Sequence, residues 1–364
     1  MDTDGGPARE TLEDLLGDRI VSWARLEPWS VMRCQLEKAR VPVIVKWRRS
    51  GAVRSDRRQI LVEHASLIFL QDIGVTSAPR LLASDLAAGL LVMEDLAPRR
   101  ALDQQIREAG VAGAWAGLAA FAQASGELAA RTSGRRAEFE AALIRSGAPP
   151  TDQRIVDARA ALAMMQGLAG LGLPLGPAVE ADLATAFATL LAPGPLQVFS
   201  NGDCEANNFL AHEGDGRLID FEAADFRHAL VDAAAMHVPG PAWLTVAGPS
   251  QRAALEQIYR AALATGVPAA EDDDVFGLGM AAACLTRACE RLTRFERLDA
   301  RPWGDASRLQ MVAALEAAAD AASDHRRLPH LAGWARRAAS WLRRRWPDAD
   351  QDLESLGPYA PRVA

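Results

Sequence analysis

Residues 200–222 read SNGDCEANNFLAHEGDGRLIDFE. Asp203, Glu205, Asn207, Asn208, Asp220 and Glu222 stand among short apolar runs there. Burying an unpaired charge is costly, so such groups take an ionic partner or a metal. NNFLAH and RLIDFE are apolar enough to pair as strands, and EGDG between them is strong turn chemistry. A turn centred on Gly214 and Asp215 sets Asn208 opposite Phe221, beside Asp220. The open end of this hairpin then gathers Asn208 and Asp220, with Asp203 on the loop before it. Local Asx turns account for any one of these residues alone. An amide oxygen and two carboxylates at one mouth form a hard-cation site of the magnesium type.

The chain around this island has two textures. Up to about residue 96 it reads as strands with one helix: strands over 19–26, 29–37 and 40–49, a helix over 56–72, then a hairpin from PRLLASD and GLLVMEDL. From Ala97 onward Ala and Leu dominate. Helical periodicity recurs over 101–131, 135–146, 152–169 and 177–192, and again over 229–346 with Pro/Gly breaks. The expected fold class is α+β: a small β-rich unit over 1–96 and a large helical unit over 97–364 with one embedded hairpin.

Composition narrows the function classes. The 364 residues are 49% hydrophobic and carry a net charge of −7, with a pI near 5.5. Nucleic-acid binding calls for a basic footprint, so none is expected. The start, MDTDGGPARETLEDLL, lacks the basic and apolar regions of a signal peptide, which points to a cytoplasmic protein. The Ala-rich run over 111–130 contains Gln, Ser and Glu and reads as a buried helix, not a membrane span. Cys34, Cys204, Cys284 and Cys289 are scattered, so free thiols and no zinc site are expected.

Asp203 and Asn208 in the D-x-x-x-x-N spacing, a hairpin, and then Ile219-Asp220-Phe221-Glu222 resemble the catalytic and metal-binding loops of the aminoglycoside phosphotransferase and choline kinase superfamily. The resemblance implies a bilobal protein-kinase-like fold. It makes Asp203 the catalytic base and Asn208 and Asp220 the ligands of magnesium. Asn201 stands where that family usually has His. Downstream, RHALVDAA resembles a family segment, with Asp232 matching a structural aspartate.

Such a fold requires a strand lysine for the nucleotide phosphates and a helix glutamate to hold it. Lys46 lies in VPVIVKW, among apolar strand residues. Glu63 falls on the helix face of Ile60, Leu67 and Leu70, which turns inward and leaves the carboxylate needing a partner. Lys46 is the partner the resemblance implies. The same alignment puts Met93 at the gatekeeper position and the backbones of Glu94 and Leu96 at the adenine edge. The turn between the first two strands, ARLEPWSVMR, has no glycine, and Ser30 is the candidate phosphate contact there.

The implied reaction is magnesium-dependent transfer of the γ-phosphoryl group of ATP or GTP to a hydroxyl of a small molecule, such as an aminoglycoside, amino alcohol or sugar. Glu205 and Glu222 are either acceptor contacts or solvated carboxylates, and Trp243 is a candidate pocket wall. Asn201 and the glycine-free turn support a rival reading, a kinase-like binding protein without turnover. A protein kinase is disfavoured, because no A-P-E-like segment follows Asp220. Two further stretches read as structural. EDDD over 271–274 is a helix cap. LAGWARRAASWLRRRW over 331–346 is a final helix that packs its tryptophans and solvates its arginines.

Overall fold

A computed structural model describes residues 6–26, 30–39, 41–48, 57–149, 165, 168–239 and 247–350. Trp243 and nearly all of the helix expected over 152–169 lie outside these residues.

Five strands form one antiparallel sheet: β1 (Ile20–Arg25), β2 (Val31–Leu36), β3 (Val43–Trp47), β4 (Leu81–Asp85) and β5 (Leu90–Glu94), in the order β1-β2-β3-β5-β4. Side chains alternate across a strand. Val43, Val45 and Trp47 of β3 therefore join Met32, Cys34 and Leu36 of β2 in one small core. That core is closed by Leu12 of an N-terminal helix, α1 (Arg9–Leu16), which the sequence reading left out. Lys46, between Val45 and Trp47, is forced to the other face. Against that face lies α2 (Arg57–Asp72), buried at every position from Ile60 to Leu67, Glu63, His64 and Ser66 included.

The remaining chain is mostly helical. Sequence periodicity runs 101–131 together as one helix. The structure divides it at Ala114 into α3 (Leu102–Gly113) and α4 (Trp115–Thr132), and α3 itself kinks at Gly110, whose φ is 67°. Glycine takes that conformation at no steric cost. Gly126 on α4 lets Pro249–Ala264 approach closely: a Cβ there would sit 2.6 Å from the Tyr259 carbonyl oxygen. Asp272 caps Asp273–Arg291 by accepting from the amides of Asp274 and Val275, as expected of the acidic run. No helix among the described residues is long and apolar enough to cross a membrane.

The island at 196–222 is a set of short strands, β7 (Gln197–Ser200), β8 (Phe209–His212) and β9 (Asp215–Leu218). Two strands outside that stretch extend it: β6 (Arg100–Ala101) pairs with β8, and β10 (Asp225–His228) pairs with β7. The hairpin register differs from the expectation. His212 pairs with Asp215, so the turn is Glu213-Gly214, not Gly214-Asp215. Both turn residues have positive φ, 49° and 81°, the signature of a type I′ turn that matches strand twist. Asn208 consequently faces Ile219, whose amide donates to its carbonyl at 2.9 Å, and not Phe221. Asp220 still follows directly, one residue past the position paired with Asn208.

Candidate active site

Lys46 is the centre of the site. Its Nζ lies 2.6 Å from Glu63 Oε2, 2.6 Å from Asp220 Oδ1 and 3.1 Å from Glu222 Oε2. Burial disfavours the charged lysine, but Glu63, Asp220 and Glu222 outweigh it and hold its pKa above the ordinary lysine value. Burial acts the other way on Glu63, which is 2% exposed, and pushes its carboxyl up to about 7 against the pull of Lys46. Carboxylate oxygens of Glu63, Asp220 and Glu222 all lie within 4.8 Å of one another. Three acids around one ammonium leave an excess of negative charge, which suits an added divalent cation. Gln59 Nε2 also donates to Glu222 at 3.3 Å. Glu222 is thus tied to the lysine cluster and is not a solvated carboxylate.

Asp203 and Asn208 come together on the loop between β7 and β8. Asn208 Nδ2 donates to the Asp203 carbonyl at 2.9 Å and to Asp203 Oδ2 at 3.0 Å. With its amide nitrogen so committed, the Asn208 Oδ1 is the atom available for a cation, and here it accepts from Asn207 Nδ2. Asp220 adopts a left-handed conformation at φ 62°, uncommon for a non-glycine residue. Backbone strain of this kind gathers at functional sites.

Several supports were not legible in the sequence. Asn201, 1% exposed, donates to the Ile219 carbonyl at 3.2 Å and accepts from the Asp203 amide at 3.3 Å. It therefore ties the Asp203 loop to the strand end that carries Asp220. Ser200 Oγ donates to Asp232 at 2.8 Å and accepts from the Gly202 amide at 3.0 Å. Burial raises the Asp232 pKa. Gly202 is required: φ is +86°, and a Cβ would fall 1.9 Å from the Ala223 carbonyl oxygen.

Glu205 is buried and ion-paired with Arg287, with Arg291 at 3.7 Å, so it is not a surface carboxylate. Arg287 also donates to the Val238 carbonyl at 2.8 Å. Two arginines four apart at the end of the Ala-rich run 280–291 were the available signal for a buried acid partner. Burial pushes the Cys204 thiol well above its ordinary pKa, so it is no thiolate nucleophile beside Asp203. All four cysteines are free, as expected, and all four are buried.

The expected adenine-edge residues end β5. The Glu94 amide donates to the Arg80 carbonyl at 2.9 Å, and Leu96 is buried two residues on. Met93 is buried in the main core. The Ser30 carbonyl accepts from the Trp47 amide at 3.0 Å, which puts this residue one strand away from Lys46. Residues 27–29 of that turn lie outside the described set.

The profile of the phosphotransferase enzyme family matches residues 27–271. No curated protein sequence matches at a significant level. Among solved structures, the streptomycin–ATP–APH(2″)-IIa ternary complex is 12% identical, covers 81% of this chain and 90% of that chain, and has a TM-score of 0.50. Choline kinase LicA from Streptococcus pneumoniae is 14% identical, with 86% and 97% covered and a TM-score of 0.47. A glucosamine kinase in complex with glucosamine, ADP and inorganic phosphate is 17% identical, with 80% and 85% covered and a TM-score of 0.41. The α+β arrangement, a small antiparallel sheet before a larger helical part, is the bilobal kinase-like fold.

Proposed function

The chain belongs to the phosphotransferase enzyme family, and from that premise we propose a magnesium-dependent kinase that moves the γ-phosphoryl group of ATP or GTP to a hydroxyl of a small molecule. The observations that support the reading are the Lys46–Glu63–Asp220 cluster and, on the loop that precedes the same hairpin, the Asp203–Asn208 pair. Phosphoryl transfer asks a protein chiefly to position groups and to neutralise charge.

In this reading Lys46, held by Glu63, grips the α- and β-phosphates. Asn208 Oδ1 and Asp220 hold the metal, which when bound neutralises charge on the β- and γ-phosphates. Asp203 accepts the proton of the acceptor hydroxyl and orients its oxygen for in-line attack. The Glu94 and Leu96 backbones receive the adenine edge, and Ser30 contacts phosphate. The lobes divide after Leu96, into 1–96 for the nucleotide and 97–364 for catalysis and the acceptor. Aminoglycosides, amino alcohols and sugars are the acceptor classes, and the cytoplasm is the compartment.

The test is transfer of labelled γ-phosphate from ATP and from GTP across a panel of those acceptors, with Asp203→Ala alongside. We expect at least one acceptor to be labelled, and a fall of about 10²–10⁴-fold in Asp203→Ala, the usual worth of a positioned base. Equal labelling by the variant would remove Asp203 from its role. Nucleotide binding with no transfer to any acceptor would favour the binding protein without turnover.

A further inference from the structure

Arg33 of β2 and Asp95, one residue past β5, form a charged pair at the edge of the small sheet. Arg33 Nε lies 2.7 Å from Asp95 Oδ2, and Nη2 donates to Oδ1 at 3.1 Å. Asp95 also accepts from the Ala97 amide at 3.1 Å. The Asp95 side chain is 3% exposed, whereas that of Arg33 is 43% exposed. A buried carboxylate therefore grips one edge of the guanidinium and leaves the rest accessible. A two-point fork of this kind fixes the orientation of the guanidinium plane.

Strand register says where that plane lies. Residues directly opposed in an antiparallel pair share a face. Arg33 opposes Ile44, which opposes Met93, and Val31 opposes Lys46, which opposes Leu91. Arg33 and Ile44 thus stand on the Lys46 face. Ile44 is two residues from Lys46, about 7 Å along β3 toward the Glu94 end of β5. In the sheet β3 separates β2 from β5, so the Arg33–Asp95 pair spans about 10 Å across it. Val31, Arg33, Ile44 and Lys46 are only partly buried, while Met32, Cys34, Val43 and Val45 on the opposite face are buried. The Lys46 face of β2 and β3 is therefore an incompletely covered strip, with an ammonium at one end and a clamped guanidinium at the other.

We propose that Arg33 stacks on the base of the phosphoryl donor: its guanidinium, held by Asp95, lies flat on a purine ring, with Ile44 beside it. The inference rests on the kinase reading, in which Lys46 takes the α- and β-phosphates. With the phosphates there, the base of the same nucleotide falls along the strip that leads past Ile44 to the end of β5. Guanidinium planes stack on nucleobases, and a ring face is recognised whatever groups stand on the ring edge. The donor class is therefore the purine nucleoside triphosphates, adenine and guanine alike. A mere latch between β2 and β5 would be served equally well by a lysine at position 33, and that difference separates the two roles.

The test is calorimetric titration of the full chain, in magnesium, with ATP, with GTP and with inorganic tripolyphosphate, which has the phosphates and no base. Arg33→Lys keeps the charge and an ion pair with Asp95 but loses the plane. Wild type should bind ATP and GTP about tenfold or more tighter than tripolyphosphate, the usual worth of one stacked base. Arg33→Lys should weaken ATP and GTP about fivefold or more and leave tripolyphosphate unchanged. R33M/D95N, which removes the pair without stranding the buried carboxylate, should show the same split. The inference is overturned, with the kinase reading intact, if Arg33→Lys binds ATP as tightly as wild type or weakens tripolyphosphate equally. It is overturned likewise if wild type binds ATP no more tightly than tripolyphosphate. Binding of none of the three by wild type would overturn the kinase reading itself, and this inference with it.

Discussion

Replacing Lys46 with methionine tests the charge cluster through stability alone, without any substrate. Lys46 has three acid partners, whereas Glu63 has Lys46 as its one counter-charge among the described residues. Lys46→Met strands Glu63, which is 2% exposed, and removing one member of a buried pair costs about 3–5 kcal/mol. The sign of the pH dependence follows from the carboxyl. Its pKa is raised from 4.5 to about 7 by burial even with Lys46 present. The raised pKa means that the charged carboxyl opposes folding at pH 8. Without Lys46 the burial remains, the attraction is gone, and the pKa rises further. An acid with a raised folded pKa loses stability as pH climbs from its unfolded value through the folded one. Lys46→Met should therefore cost about 4 kcal/mol at pH 8 and about half that at pH 5, where Glu63 takes up a proton. Glu63→Gln should cost about 1 kcal/mol, because Lys46 keeps Asp220 and Glu222, and the double variant should recover about 2 kcal/mol over Lys46→Met. Urea unfolding followed by circular dichroism at both pH values gives these numbers. A Lys46→Met protein as stable as wild type at pH 8, or a double variant no better than the single one, would refute the reasoning.

Three further outcomes follow from particular contacts. Glu205→Gln leaves Arg287 and Arg291 without their acid and should lower stability by about 3 kcal/mol in urea unfolding; no measurable loss would show the pair to be solvated. Gly202→Ala meets the Ala223 carbonyl at positive φ and should cost about 3 kcal/mol, whereas Gly214→Ala, at positive φ in open space, should cost about 1 kcal/mol; equal costs would contradict the steric account. Glu256 is bridged by His237 at 3.0 Å and His325 at 2.9 Å, and these partners outweigh burial and hold its carboxyl down at about 2, from 4.5. A depressed acid contributes fully above its unfolded pKa and loses that contribution as pH falls through the folded value. Wild type should thus lose about 3 kcal/mol more than Glu256→Gln between pH 4.5 and pH 2, read from acid unfolding curves.

The proposed Asp203, Asn208 and Asp220 set could be picked out because the chemistry it would serve needs fixed residue types in fixed local spacing. Asp203 to Asn208 spans one loop, and Asp220 follows one hairpin. Helix periodicity turns Glu63 inward and so asks for a partner, and the family resemblance supplied Lys46 as that partner, which the ion pair at 2.6 Å bears out. What failed was long-range or conformational. The hairpin turn was misplaced by one residue because Asp215 and Gly214 both favour turns, and only backbone φ distinguishes Glu213-Gly214. Glu205 looked like a surface acid because its partners, Arg287 and Arg291, lie far along the chain. Asn201 read as a missing histidine, while in space it bridges the two loops of the site. The short strand β10 escaped notice because RHALVDAA carries more helix than strand character.

The central claim is a metal–nucleotide site organised by Asp220, and thermal unfolding tests it most directly. Wild type and Asp220→Ala are melted with and without magnesium plus ATP or GTP. A ligand at 100 times its Kd that binds only the folded state adds about 2.7 kcal/mol, a shift of several degrees in Tm. The account predicts that rise in wild type with at least one nucleotide, dependent on magnesium and abolished in Asp220→Ala. No rise with either nucleotide, or an equal rise in the variant, would contradict it.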